Sequence, residues 1–248
     1  METIYASYTV EFSKAMKGIL YGVGLGPGDP ELMTLKAYRL IAGAEVIAYP
    51  TLEGSDSFAR SIASDIINPE TEEIVVEIPM SVERGPAQTA YDLGALKISE
   101  KLNEGKDVIV LCEGDPFFYG SFMYLFSRLN KEFECEVIPG VTSVTACAAS
   151  IATPLTARNE VLTIIPGPIN EVLLEQRVAG SEAIAIMKVG RHLPKIRRVL
   201  EKLDLTKFAY YIERATLPNQ IVLPLSDAPL KAPYFSMILV TKGNDPWL

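Results

Sequence analysis

Gly22-Val23-Gly24-Leu25-Gly26-Pro27-Gly28-Asp29-Pro30-Glu31-Leu32 ends an apolar run over 18–24 and precedes a stretch with helical spacing. The arrangement returns at Cys112-Glu113-Gly114-Asp115-Pro116-Phe117-Phe118-Tyr119-Gly120, after the apolar run 107–112. A short apolar run that stops at glycines and gives way to a 3.6-residue period reads as strand, loop, helix. Glycines let a ligand approach the backbone closely, prolines fix the loop, and each aspartate supplies charge. A tight turn alone would account for one such loop. Two with matching chemistry predict a crevice for a small, partly cationic ligand.

Around these loops, strands are predicted over 19–24, 46–49, 74–78, 108–112 and 134–138. Helices are predicted over 35–42, 57–67, 88–103 and 121–129, with a further one after Pro139-Gly140 to about residue 150. Strands alternating with helices imply a mostly parallel α/β sheet, whose ligands sit beyond the carboxyl ends of the strands. After Pro154 the pattern shifts to strands over 160–165, 182–187, 208–212, 220–224 and 235–241, with helices over 170–178 and 194–203. Short polar or prolyl links between the last strands predict antiparallel pairing. The expected organisation is an extension over 1–17, an N-terminal α/β domain over 18–150 and a C-terminal α/β domain with a mixed sheet over 151–248. The ligand is expected in the cleft between the two domains.

Nucleotide phosphate fits neither loop. The dinucleotide spacing G-x-G-x-x-G meets Pro27 or Asp29 where its third glycine belongs. The phosphate loop fails at Gly105-Lys106, which Asp107 follows. The prolines remove N–H donors, and acids flank both loops.

With 48% hydrophobic residues among 248 and a mean hydropathy of +0.19, the chain can bury a substantial core. A formal charge of −8 counts against nucleic-acid and anionic-membrane partners, which want a basic face. Cys112, Cys135 and Cys147 lack any C-x-x-C spacing and read as reduced thiols in a cytoplasmic protein. His192 is the single histidine, so no metal site is expected in the protein itself. Residues 1–17 carry Glu2 and Glu11 without a continuous apolar run, which predicts a loose extension and no signal peptide. The longest apolar stretch, 137–155, is broken by Pro139 and Pro154 and predicts no membrane span.

These loops, in this order and spacing, resemble the tetrapyrrole methylase family. The shared motifs are the glycine-proline loop over 24–32, Glu113-Gly114-Asp115-Pro116 through Tyr119-Gly120, and Ile138-Pro139-Gly140-Val141-Thr142-Ser143. Pro154-Leu155-Thr156, Ile186-Met187-Lys188-Val189-Gly190 and Glu213-Arg214-Ala215-Thr216 complete them, so the resemblance spans 18–243. Within the family the motifs look most like the branch that methylates carbon 20 of precorrin-2, or of cobalt-factor II. The resemblance implies a homodimer whose subunits hold S-adenosylmethionine between two α/β domains. Carried over by position, the cofactor contacts would be Pro27, Gly114, Asp115, Phe118, Thr142, Ser143, Met187 and Ala215. Glu113 stands where other members carry glycine. The Met-Lys-Val-Gly strand end is one residue longer than usual, so Met187, Lys188 or Val189 could make that contact.

S-adenosylmethionine agrees with the residues. Asp115 suits ribose hydroxyls or an ammonium, and the helix start at Thr142 and Ser143 suits a carboxylate. Lys188, Arg191, His192, Lys195, Arg197 and Arg198 crowd eleven residues of an acidic chain. The last two read as a solvated helix face. Lys188, Arg191 and His192, with Arg84, Arg158 and Arg214, are candidates for binding a carboxylate-rimmed tetrapyrrole. The meso proton displaced by methylation could go to Glu113, Asp115, Tyr119 or Tyr124, and the sequence does not choose among them. Rival readings are a sibling methylase acting on a protein, as in diphthine synthesis, or on ribosomal RNA, and a tetrapyrrole carrier without catalysis.

Overall fold

The computed structural model describes residues 16–80 and 84–243; the first fifteen residues of the expected extension and the Arg84 side chain lie outside the described residues. Strand β1 (Leu20–Gly24), β2 (Val46–Leu52), β3 (Glu72–Ile78), β4 (Val108–Cys112) and β5 (Cys135–Ile138) form a sheet in the order β3-β2-β4-β1-β5. Every pairing in it is parallel. A strand covered on both faces must be apolar throughout, and every residue of β4 is buried. Val108, Val110 and Cys112 face α3 (Arg84–Asn103) and α4 (Phe122–Leu129), whereas Ile109 and Leu111 face α1 (Leu35–Ala42) and α2 (Phe58–Ile62). Each fully buried Val, Leu or Ile in these layers contributes about 1.5–3 kcal/mol.

Two helices differ from the sequence expectation. The second ends at Ile62 rather than near 67, because tight i→i+3 turns take over from Ala63 ahead of Pro69. The third begins at Arg84 rather than 88, with Pro86 tolerated in its first turn, where no intrahelical donor is needed.

The order of strands sets the site. The chain leaves β1 through α1 on one face and leaves β4, its neighbour, through α4 on the other. That divergence opens a crevice at the carboxyl ends of β1 and β4. Strand β5 flanks β1 on its other side, so the loops after β1, β4 and β5 lie side by side.

The second sheet contains β6 (Leu162–Pro166), β7 (Ala183–Met187), β8 (Ala209–Glu213), β9 (Ile221–Pro224) and β10 (Ser236–Thr241) in the order β6-β7-β10-β8-β9. Only β6 and β7 are parallel; the other pairs are antiparallel, as the short links predict. The period of two separates its faces. Ile184, Ile186, Tyr211, Ile238 and Val240 pack under α6 (Glu171–Ala179) and α7 (Leu193–Lys202). Ala185, Met187, Ile212, Met237 and Leu239 turn the other way, onto Val144 and Cys147 of α5 (Ser143–Ser150) and onto Phe118. One face of the second sheet is thereby applied to the loops of the first domain. Among the described residues, no helix is long and apolar enough to cross a membrane.

Candidate functional site

Three glycine-bearing loops meet at the carboxyl edge of the first sheet. Gly26 and Gly114 exchange backbone hydrogen bonds, Gly26 N–H to Gly114 O at 3.2 Å and Gly114 N–H to Gly26 O at 2.7 Å. A Cβ on Gly140 would stand 2.0 Å from Gly114 O, and one on Gly24 would stand 2.7 Å from both Gly114 O and Gly140 N. No side chain fits at either position. The loops approach this closely because the sequence puts hydrogen there.

Asp115 locks the junction. Its Oδ1 accepts from the N–H groups of Phe117 at 2.9 Å and Phe118 at 3.1 Å, and its Oδ2 accepts from Gly140 N–H at 3.1 Å. Hydrogen bonds to a charged acceptor are worth about 1.5–3 kcal/mol each. This carboxylate therefore spends much of its capacity joining the β4 and β5 loops, whatever it also offers a ligand. Asp29 works locally, its Oδ1 accepting from Glu31 N–H at 2.9 Å.

Helix α5 starts beside that junction. Thr142 is its N-cap residue but makes no side-chain cap bond; its Oγ1 lies 3.4 Å from Thr145 Oγ1 instead. The first N–H groups of an α-helix have no intrahelical partner, so those opened by Ser143 remain available to an acceptor. Pro27, half-buried, lies in the neighbouring β1 loop.

The second domain closes the crevice with the end of β7, where the left-handed backbone of Lys188 turns the chain. Met187 falls on the face with Phe118, Val144 and buried Ala215, whereas Val189 is sealed in the opposite core. Lys188 is exposed between them. Of the three sequence candidates for that contact, only Met187 shares the cluster with Phe118 and Ala215. Lys188 instead reaches across the domains, its Nζ 5.4 Å from the ring centre of exposed Tyr119. Both residues hold left-handed backbone, with φ of 57° at Tyr119 and 55° at Lys188, a costly conformation outside glycine.

Among the proton-acceptor candidates, Glu113 has the environment that departs furthest from water. It follows β4 on the α2 side, half-buried. Burial pushes its carboxyl pKa above the ordinary range, opposed by hydrogen bonding to its own N–H and that of Ala59 in the first turn of α2. Tyr124 sits partly exposed on α4 with its ring 4.9 Å from that of Tyr91.

The basic segment divides. Lys195 Nζ donates to Gly167 O at 2.7 Å and to Ile169 O, Arg197 donates to Ala228 O and to Pro229 O at 3.2 Å, and Arg198 pairs with Glu171 at 2.7 Å. These brace the second domain. Lys188, Arg191 and His192 make no ion pair among the described residues. Burial and the charges of Lys195 and Arg191 push the His192 pKa below its ordinary value, so it is neutral at neutral pH. Arg214 is committed, its Nη2 donating to Glu213 Oε2 at 2.8 Å and its Nε to Asn219 O at 3.2 Å. Arg158, exposed with φ of 50°, stands in the loop before β6.

Sequence reading missed two features here. Glu213 is buried and accepts from Tyr211 Oη as well as from Arg214. Asp29 N–H donates across the domains to Thr216 Oγ1 at 3.1 Å. The Glu-Arg-Ala-Thr motif marked the place, but its left-handed backbone at Arg214 and Thr216 has no sequence signature. A shallow hollow near Gly43, Glu45, Lys106 and Asp107 lies at the opposite, amino ends of β2 and β4 and has none of this loop chemistry.

Comparison with known proteins bears on this arrangement. Residues 19–229 match the family described as Tetrapyrrole (Corrin/Porphyrin) Methylases. The chain is 40% identical over 237 residues to a precorrin-2 C(20)-methyltransferase of Sinorhizobium sp, covering 92% of this chain and 97% of that protein. It is 30% identical over 233 residues to the cobalt-precorrin-2 C(20)-methyltransferase of Salmonella typhimurium, covering 92% and 98%. Against the cobalamin biosynthesis protein CobIJ of Mycobacterium tuberculosis the identity is 39% over 237 residues, and the chain spans about half, 47%, of that longer protein. Among solved structures, the uroporphyrin-III C-methyl transferase of Thermus thermophilus complexed with S-adenyl homocysteine superposes with a TM-score of 0.64 at 25% identity, over 91% of this chain and 92% of that one. The fold is shared with a cobalt precorrin-4 methyltransferase, TM-score 0.68 at 24% identity, over 90% and 94%. With a match over most of its length and relatives aligned end to end, the chain belongs to the tetrapyrrole methylase family.

Proposed function

We propose that the protein transfers a methyl group from S-adenosylmethionine to the carbon-20 meso position of precorrin-2 or its cobalt-loaded counterpart, in cobalamin biosynthesis. The observation that carries this reading is the convergence of the Gly26, Gly114 and Gly140 loops with Met187 and Ala215 of the second domain. The 40% identity to a precorrin-2 C(20)-methyltransferase supports the choice of substrate. The residues fit the cofactor. Unpartnered N–H groups at the start of α5 suit its carboxylate, the side-chain-free junction admits a close approach, and Phe118, Val144, Met187 and Ala215 offer an apolar wall to its adenine. Asp115 shapes the pocket by holding the β4 and β5 loops together, and keeps lone pairs for a ribose hydroxyl.

When bound, the cofactor supplies an electrophilic methyl on a sulfonium. The chain's task is to hold the attacking carbon in line with that methyl in a dry cleft, which is worth far more than any single contact. Methylation of the meso carbon releases its proton, and Glu113 is the acceptor we assign. A carboxylate with a raised pKa is the stronger base, and Asp115 is already bonded to three N–H groups. Lys188, Arg191 and Arg158 present positive charge for the substrate's carboxylates. We assign the protein to the cytoplasm and to a homodimer by likeness to its family.

The test is an anaerobic assay of the purified protein with S-adenosylmethionine and, separately, precorrin-2 and cobalt-factor II. Product one methyl heavier, with stoichiometric S-adenosylhomocysteine, is expected from one of the two, and that substrate names the aerobic or anaerobic branch. Cofactor binding without turnover of either would transfer the proposal to a sibling methylase. Sedimentation of the same preparation as a monomer would remove the dimer.

A further inference from the structure

The turn after β8 carries two strained residues in three positions. Arg214 has φ of 47° and Thr216 has φ of 71°. A β-branched residue in left-handed backbone is a genuine outlier and persists only where its surroundings hold it. Here they do. Arg214 is pinned by buried Glu213 and by Asn219 O. Thr216 N–H donates to Gln220 Oε1 at 2.7 Å, and the same oxygen accepts from Ser150 Oγ, in the last turn of α5, at 2.8 Å. This bracing exports two contacts to the β1 loop, one polar and one apolar. Thr216 Oγ1 accepts the Asp29 N–H of the first domain at 3.1 Å, and Leu217 fills the space that a Cβ on Gly28 would need, 2.7 Å from its Cδ2.

We propose that Thr216 is a positioning residue. Its hydroxyl latches the Gly26–Asp29 loop against the second domain in the conformation that receives S-adenosylmethionine, with Gln220 coupling that latch to the far end of α5. The inference rests on the cofactor reading above and extends it. The cofactor loop is held from the opposite domain, so the cleft is assembled before the ligand arrives. Thr216 itself need not touch the cofactor. The strain at Thr216 is the cost of aiming one oxygen at one N–H.

The experiment compares T216V, T216S and Q220L with the natural protein. S-adenosylhomocysteine affinity is read by calorimetry, tetrapyrrole KM at saturating cofactor, and hydrogen exchange over residues 26–33. Valine keeps the branched shape and the strain but removes the oxygen. It should weaken S-adenosylhomocysteine binding about tenfold, the scale of one lost hydrogen bond. It should also speed exchange in the loop and leave tetrapyrrole KM within about twofold, since the latch touches only the cofactor side. Serine keeps the oxygen and should restore affinity. Q220L, which releases Thr216 and Ser150 together, should shift affinity in the same direction as valine. Unchanged affinity in T216V, equal loss in T216S, or an effect on tetrapyrrole KM instead would each overturn the latch. If the natural protein binds no S-adenosylhomocysteine, the cofactor reading falls and the latch with it; if it binds and T216V binds equally, the latch alone falls.

Discussion

At the scale of single residues, the chemistry splits between groups whose type announced their role and groups whose setting did. The glycines at 114 and 140 and the acid at 115 were legible because close approach and charge leave residue-type signatures, whereas Asp115's engagement with three N–H groups was not. Buried Tyr211 and Glu213 and half-buried Arg214 form a triad that no spacing rule signals, since it is built from a strand end and a left-handed turn. Glu113 carries the sharpest prediction. Its folded pKa lies above the unfolded value, so the native state binds the proton more tightly, and stability falls as pH rises through the raised folded value. Glu113→Gln should therefore gain stability over the natural protein as pH rises, read by denaturant unfolding on either side of that window. The same change should lower kcat by about a hundredfold or more and remove the acidic limb of its pH profile, with S-adenosylhomocysteine affinity retained. Retained kcat in Glu113→Gln would return the proton acceptor to the tyrosines.

At the scale of elements, the period of two and the alternation with 3.6 placed the strands of both sheets to within a few residues. The departures have local causes, such as the early unwinding of α2 and the prolyl start of α3. The lengthened strand end left Met187 and Val189 as alternatives of equal parity, and the left-handed turn at Lys188, just past the end of β7, is what separates them, leaving Met187 on the Phe118 side and carrying Val189 into the opposite core. Strand order, by contrast, was invisible in the sequence. Nothing in the runs themselves states that β4 inserts between β2 and β1, yet that insertion brings the Gly26 and Gly114 loops into contact. Gly140→Ala tests that junction. Its methyl would lie 2.0 Å from Gly114 O, so the β4 and β5 loops must part. Binding of S-adenosylhomocysteine should be abolished, and stability should drop by on the order of 3 kcal/mol, since the obstacle is backbone and cannot rotate away. A variant that binds normally would show that the loops need not touch.

At the scale of the whole molecule, an acidic protein exposes Lys188 and Arg191 just past the end of β7 while Lys195, Arg197 and Arg198 are used up as braces. The proposed substrate, rimmed with carboxylates, would approach a body of its own sign, and these two exposed cations would steer it. Arg191→Glu should raise the tetrapyrrole KM about fivefold at low salt, with the difference shrinking as salt is added and cofactor affinity unchanged. Equal loss for both ligands would remove Arg191 from the substrate path. The placement of β10 has a consequence for how the protein is made. All five strands of the first sheet are complete by Ile138, but the second sheet has at its centre, between β7 and β8, the last of the described strands. During synthesis the first domain can close while β7 and β8 still wait with bare inner edges, each open to mispairing. Vectorial folding thus gives the nascent protein an early half-site that offers the glycine junction but lacks the wall of Met187 and Ala215. Only when β10 zips between its neighbours does the proposed cofactor cleft acquire its second side, so the order of synthesis sets the order in which the two walls are built.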